Sequence, residues 1–280
     1  MKFFSAAFLL LTGFLLAAAE LPKSIELESG KVSLRLDARK MWNINRVTWD
    51  GNQLGVDGAG SHYGMAFQPQ QSKYFIGSGH RESGIGEELI QLKITVDGKD
   101  VTPVNGKKIS GKSITVTKES NISDFLVNYS FTLANDRLDE KITITTKKLV
   151  KVNFLYCFMH PWMTRFTHFI GINADGSVKE VKFTANEKDH ILRNCPAAVW
   201  YEPKTGLGVV TVTRLEKGGR NSYRTVWDRS MYRKHYMVPY SRAYFRPENT
   251  LLASASTSFF CEKDNSKWHD AGKQLAGKLK

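Results

Sequence analysis

The chain predicts an all-β fold, a large antiparallel β-supersandwich closed by a short C-terminal helix. Short stretches of alternating apolar and polar residues recur along most of the 280 residues, the period of a sheet with one wet face. Between them stand turn signals such as Asp50-Gly51, Asp97-Gly98, Asn105-Gly106, Ser110-Gly111, Asp175-Gly176 and Thr205-Gly206, which favour hairpins and tight connections. Past the N-terminal apolar run, helical spacing shows at the C-terminus, where Trp268, Ala271, Leu275 and Leu279 share one side.

At the N-terminus, Lys2 precedes an apolar run over 3–16 and then Ala17-Ala18-Ala19. This is the pattern of a secretory signal peptide. Residues 1–19 are read as that peptide, and the mature chain starts near Glu20. A secreted or periplasmic location follows. The apolar run is short for a membrane span and has no successor, so no transmembrane span is expected once the signal is removed. Residues 20–280 are read as a single β-sandwich domain, since no linker or repeat interrupts them.

Residues 25–36 alternate, with Val32, Leu34 and Leu36 against Ser33, Arg35 and Asp37. Asp50-Gly51 then joins strands at 46–49 and 53–54. Between 55 and 87 glycine recurs among His62, Tyr63, His80, Arg81 and Glu82. That pattern predicts irregular backbone, either a surface loop or a loop that approaches a ligand closely. No strand-to-helix context surrounds these glycines, so they are not a nucleotide-binding fingerprint. Strands at 89–96, 113–118, 125–133 and 138–146 form an antiparallel meander with Ile142 and Ile144 inward. Further strands are expected at 178–183, 199–201, 207–212 and 251–260. Asp264-Asn265-Ser266 can cap the helix, which is expected to dock on the sheet.

Two stretches carry candidate chemistry. The first is LVKVNFLYCFMHPWMTRFTHFIG, residues 149–171, too continuously apolar for a half-exposed strand. Counted by twos, Val152, Phe154, Tyr156, Phe158 and His160 share a face, which sets the imidazole where buried wall meets rim. Pro161 is expected to end regular pairing, with Trp162, Arg165 and His168 just beyond. The second stretch, 220–246, interleaves Tyr and Arg: RNSYRTVWDRSMYRKHYMVPYSRAYFR. Rings stack on the C–H face of a sugar, and arginine pairs with a carboxylate. Together they describe a groove for an acidic glycan. The structural alternative is an edge strand decorated with Arg and Tyr for packing and solubility.

Elimination at a uronate needs a group that neutralises the carboxylate, a base for the C5 proton and an acid for the leaving oxygen. The catalytic candidates are His160 or His168 as base, Arg165 or Arg224 on the carboxylate, and Tyr232 or Tyr236 as acid. Substrate-binding candidates are Trp162, His62, His80, Arg81, Arg233, His235, Tyr240 and Arg242. Hydrolysis has less support, because facing carboxyl groups are few: Glu82, Glu87, Glu88, Asp228 and Glu202. An epimerase would need an acid and a base flanking the ring, and a His with Glu82 or Asp228 would supply them. No G-x-S-x-G elbow is present for nucleophile chemistry.

The formal charge is +13, about +12 once Lys2 leaves with the signal peptide, and a basic exported protein favours anionic partners. Export argues against nucleic acid and leaves acidic polysaccharide and membrane surface, of which carbohydrate is the expected partner. Cys157, Cys195 and Cys261 are too few for a disulfide scaffold, although one bridge is possible. Their spacing gives no metal pattern, and the residues identify no cofactor. Asn121-Ile122-Ser123 and Asn128-Tyr129-Ser130 fit the glycosylation sequon.

The opening GKVSLRLDARKMWNINRVTWDGNQL, the aromatic strand ending MHPWMTRFTHF, and a strand-rich remainder closed by a short helix resemble the galactose mutarotase-like superfamily of β-supersandwiches. The resemblance implies sugar binding on a concave sheet, in a group that holds aldose epimerases, polysaccharide lyases and non-catalytic glycan-processing domains. The short aldose-epimerase signature around an Asn-His pair is absent. The expected function is that of a secreted carbohydrate-active protein, a lyase cleaving uronate-containing polymer by β-elimination. The alternatives are a non-catalytic glycan-binding or glycan-assembly protein and a mutarotase-like epimerase.

Overall fold

A computed structural model describes residues 21–58, 63–78, 80–81 and 86–279, without the side chain of Arg81. The stretch read as a signal peptide lies outside them. Among the described residues the strands form three sheets. The largest runs in the order Val178–Lys182, His168–Ile172, Ala197–Glu202, Leu207–Lys217, Leu251–Cys261, Arg137–Thr146, Phe125–Ala134, Ser113–Ile122, Glu87–Val96, Lys99–Asp100. Facing it is a second sheet in the order Lys188–Leu192, Tyr223–Asp228, Arg233–Phe245, Val150–Trp162, Gly64–Pro69, Ile76–Gly77, His80–Arg81. A smaller sheet, including Ser24–Ser29, Val32–Asp37 and Asn43–Trp49, joins them from the N-terminal side.

The turn chemistry explains much of the connectivity. Asp50 and Gly51 both take positive φ (49° and 76°), as do Asp97 and Gly98 (49° and 81°), the geometry of two-residue hairpins that match strand twist. Asn135 and Asp136 do the same between Phe125–Ala134 and Arg137–Thr146. The meander from 87 to 146 is antiparallel throughout.

One apolar cluster fills the space between the sheets, drawing Leu34 and Val47 from the small sheet, Val127 and Ile142 from the large one, and Phe67, Leu155 and Met237 from the second. A separate cluster lies on the far side of the large sheet, where Trp268, Ala276 and Leu279 of the C-terminal helix cover Ile170, Val199 and Tyr201. The helix therefore docks on the sheet. Its seated glycine is Gly272, whose absent Cβ would stand 2.5 Å from Val199; this close approach replaces the contact expected of Ala271. Asp264, Asn265 and Ser266 do not cap it. Asp264 instead accepts from Ser266 N (3.0 Å) and Ser266 Oγ (2.7 Å), forming a turn one residue ahead of Lys267, which holds the cap position.

Three expectations are corrected here. The 220–246 stretch is a hairpin of Tyr223–Asp228 and Arg233–Phe245, and its second strand is interior, flanked by Val150–Trp162. Pro161 does not end pairing, because the strand runs on to Trp162 and Pro161 lies opposite Lys234. The even residues from Val152 to His160 do not share a face. Register slips between Val152 and Phe154 and again between Cys157 and His160, where Phe158 takes φ 53°. Each bulge adds a residue and reverses the alternation. Val152, Leu155 and Cys157 thus point into the main core, while Phe154, Tyr156 and Met159 point out of the sandwich. Cys157, Cys195 and Cys261 are all free thiols.

Candidate functional site

The inner face of the second sheet holds paired polar groups. His160, 1% exposed, sets Nε2 2.6 Å from Glu140 Oε2, and the Tyr129 hydroxyl donates to Glu140 Oε1 at 2.6 Å. Trp162 stacks on the His160 ring at 5.4 Å, and His235 lies beyond at 6.5 Å. Burial, with His160 and Arg224 nearby, pushes the His235 imidazole down to about 3. Arg224 donates to Thr213 Oγ1 (3.1 Å) and to the Thr213 carbonyl (3.2 Å) on the facing sheet. Arg233 pairs with Asp228 at 3.0 Å, and Asp228 also accepts from the backbone N–H of Thr184, Ala185 and Asn186. Tyr240 packs on Phe245 in the same core.

The outer face is different. Tyr223, Tyr236, Val238, Ala66 and Met159 form a cluster there, joined by Phe75, Phe154, Tyr156 and Trp227. Tyr156 and Tyr236 stack with ring centroids 4.5 Å apart, Phe75 stacks on Tyr156 at 5.1 Å, and Trp227 meets Tyr236 edge-on at 5.8 Å. These rings border a cavity of about 220 Å³ whose remaining lining is His80, Met159, Tyr232 and Lys234. Burial raises the phenols of Tyr156, Tyr232 and Tyr236 above the usual tyrosine value. All three stay protonated at neutral pH as hydrogen-bond donors. Burial, with Lys40 adding like charge, brings Lys234 down to about 7. In a larger hollow at Lys23, Arg35, Asp37 and Arg39, Arg35 pairs with Asp57 and Arg39 with Asp37.

The structure therefore divides the sequence-derived candidates. His80, Tyr232 and Tyr236 come together at the cavity. His160, Trp162, Arg224, Arg233, His235 and Tyr240 face the interior, because strand parity and the two bulges turn them inward. His160 is thus in the core, not at a rim. Arg165 lies apart from the cavity, donating to the Gln53 carbonyl at 2.7 Å and standing 3.3 Å from Glu202. His168 is on the large sheet, edge-on to Trp268 of the docked helix at 6.1 Å. Arg242 is exposed at a positive-φ position, φ 47°. His62, Glu82 and the side chain of Arg81 lie outside the described residues.

Sequence reasoning missed Lys234, Trp227, Tyr156 and Phe75 as cavity residues. Alternation along 232–238 holds the signal for the first, since Lys234, Tyr236 and Val238 are spaced by two around inward Arg233, His235 and Met237.

Comparison with known proteins gives fold without close relatives. No protein-family model matches the chain, and no curated protein matches its sequence. Among solved structures, a putative aldose 1-epimerase from Escherichia coli superposes with a TM-score of 0.52 at 9% identity, over 85% of this chain and 99% of that one. A putative mutarotase from Salmonella typhimurium gives 0.54 at 10% identity, over 85% and 90%. An α-galactosidase from Lactobacillus brevis gives 0.54 at 8% identity over 85% of this chain, which matches 39% of that larger enzyme. The architecture is the large antiparallel β-sandwich that these structures share. At these identities the likeness is one of fold.

Proposed function

We propose that this protein binds a carbohydrate in the aromatic cavity on the outer face of the second sheet, and that its ligand is an acidic glycan. The observation that carries the proposal is the stacked Tyr156–Tyr236 pair, flanked by Phe75 and Trp227 and rimmed by polar groups. Flat apolar faces beside a few polar groups are what a sugar ring, apolar on one side and hydroxylated at its edge, requires. The fold supports the same proposal by analogy, since two of its structural neighbours are described as a putative mutarotase and a putative aldose 1-epimerase. The net charge of +13 favours an anionic ligand.

The enzymatic form of the proposal is a lyase acting by β-elimination on a uronate polymer. It is favoured by the convergence of His80, a candidate base, with Tyr232 and Tyr236, protonated candidate acids, on one cavity. His160 and His168 do not fill the base role in this scheme, because neither lines the cavity. The N-terminal pattern supports export, so the glycan would be met outside the cytoplasm. N-terminal sequencing of the native protein should find Glu20.

Incubation with a panel of acidic polysaccharides tests the chemistry. A rise in the ultraviolet absorbance of the unsaturated product, abolished in His80→Ala and in Tyr236→Phe, is the outcome expected of a lyase. Binding that Tyr236→Ala weakens, without any absorbance rise, leaves the glycan-binding protein and removes the lyase. Absence of binding to every glycan tested overturns the proposal.

A further inference from the structure

Among the described residues, buried cations have partners, with one exception. Lys118 donates to Glu87 Oε1 and to Asn43 Oδ1, each at 2.6 Å. Arg233 has Asp228, and Arg224 has Thr213. Lys234 is as deeply buried as Arg233, each 4% exposed, yet it makes no ion pair or hydrogen bond among the described residues. Its recorded contact is the face of the Tyr232 ring, 5.2 Å from Nζ. An ammonium taken from water and left unpaired costs several kcal/mol, which a protein does not retain as packing when methionine would fill the same space.

The surroundings indicate what would relieve that cost. The nearby charge acting on Lys234 is Lys40, of the same sign. Around the cavity, His80 and the phenols of Tyr156, Tyr232 and Tyr236 are the other titratable groups. Asp189 acts on Tyr156 and Tyr236 from the neighbouring strand, but its carboxylate is engaged by the Thr225 hydroxyl. The cavity wall thus offers an amine, an imidazole, phenolic donors and no carboxylate among its described lining residues. An anion entering it would complete the pairing that the described residues leave open.

We propose that Lys234 is the specificity residue of the cavity, recognising the carboxylate of a uronate ring stacked on Tyr156 and Tyr236. This rests on the cavity being the sugar site. Lys234 then supplies the carboxylate-neutralising group that elimination needs and that neither Arg165 nor Arg224 is placed to give. Because pairing favours the charged amine, binding of the acid form takes up a proton above about pH 7.

The test uses uronate oligosaccharides and their carboxyl-reduced, neutral counterparts, titrated calorimetrically into the purified protein in buffers of different ionisation enthalpy. The wild type is expected to bind the acid form about tenfold or more tighter and to take up a proton with that form alone. Lys234→Met should bind both forms alike with no proton uptake, and Lys234→Arg should restore the preference. Equal binding of both forms by the wild type overturns the assignment while leaving a sugar site in place, as does a preference that survives Lys234→Met. Binding of neither form overturns the site itself. If Lys234→Met fails to fold, Lys234→Gln takes its place, and a preference or a proton uptake that survives in it overturns the assignment.

Discussion

On the inner side of the Arg233–Phe245 strand, Arg233 is closed by Asp228 at 3.0 Å and His235 sits neutral among buried rings. One residue along, on the outer side, Lys234 is equally buried and has the face of Tyr232 for company. The two faces of one strand differ in whether the described residues supply the partner for a buried charge. Where it does, as at Asp228, Glu140 and Thr213, the polar group ties one element to another and has a structural role. Where it does not, as at Lys234, the group borders a cavity with stacked aromatic walls. The comparison teaches that burial and residue type do not by themselves separate a structural charge from a candidate binding group; whether a partner stands beside the charge is what differs here.

The inner face can be broken first and hardest. Asp228→Ala strands a buried guanidinium and three backbone amides, and a loss of about 3–5 kcal/mol is expected in denaturant unfolding. A loss near zero would mean that this face is not structurally committed.

Acid should act on the same face. His235 has a folded value of about 3 against an unfolded one of about 6.5. The unfolded state therefore binds the extra proton between those values. Stability is complete above about pH 6.5 and declines as pH falls towards about 3, by on the order of 4 kcal/mol for this group. The difference between wild type and His235→Gln across that range isolates it.

The outer face should answer to pH in the same direction, but to substitution with the opposite sign. The folded value of Lys234 is about 7, below its ordinary one, so its neutral form is favoured. Its contribution is full at alkaline pH and is lost as pH falls through about 7. Lys234→Met is therefore expected to raise unfolding stability below that pH, by about 1–4 kcal/mol, while abolishing the preference for acidic ligands. A stabilised variant that has lost function is the mark of a site that sacrifices stability for binding. A destabilised Lys234→Met would place this lysine with the structural cations.

The smallest effect is expected far from both. His168→Ala removes an edge-on contact with Trp268 and should cost about 0.5–1.5 kcal/mol, with ligand binding unchanged. Any loss of binding there would move the site to the helix-covered sheet.

Strands and hairpins were legible because their determinants are local. Asp50-Gly51 and Asp97-Gly98 impose their turns wherever they stand, and the alternation over 113–146 fixes which side of each strand is apolar. The large sheet, the meander and the docked helix follow from such signals. The candidate site was legible as a neighbourhood and not as a set of side chains. Tyr232, Tyr236 and His80, each a candidate from the sequence, line one cavity, but the bulge around Phe158 is set by pairing with strands distant in sequence. It reverses the facing of His160 and carries that residue to Glu140. Likewise, nothing near Arg224 announces that Thr213 waits on the facing sheet. A lysine within RKHYMV gives no local sign that it lacks a counter-ion, because the absence is a property of the assembled walls.

The most direct measurement is an equilibrium titration of one acidic oligosaccharide into three proteins, the wild type, Tyr236→Ala and His160→Gln, each shown to be folded. Ligand on the outer face requires that Tyr236→Ala lose about 0.5–1.5 kcal/mol of binding free energy or more and that His160→Gln bind as the wild type does. The reverse pattern, with binding lost in His160→Gln and kept in Tyr236→Ala, would contradict the account and return the site to the interior strand end.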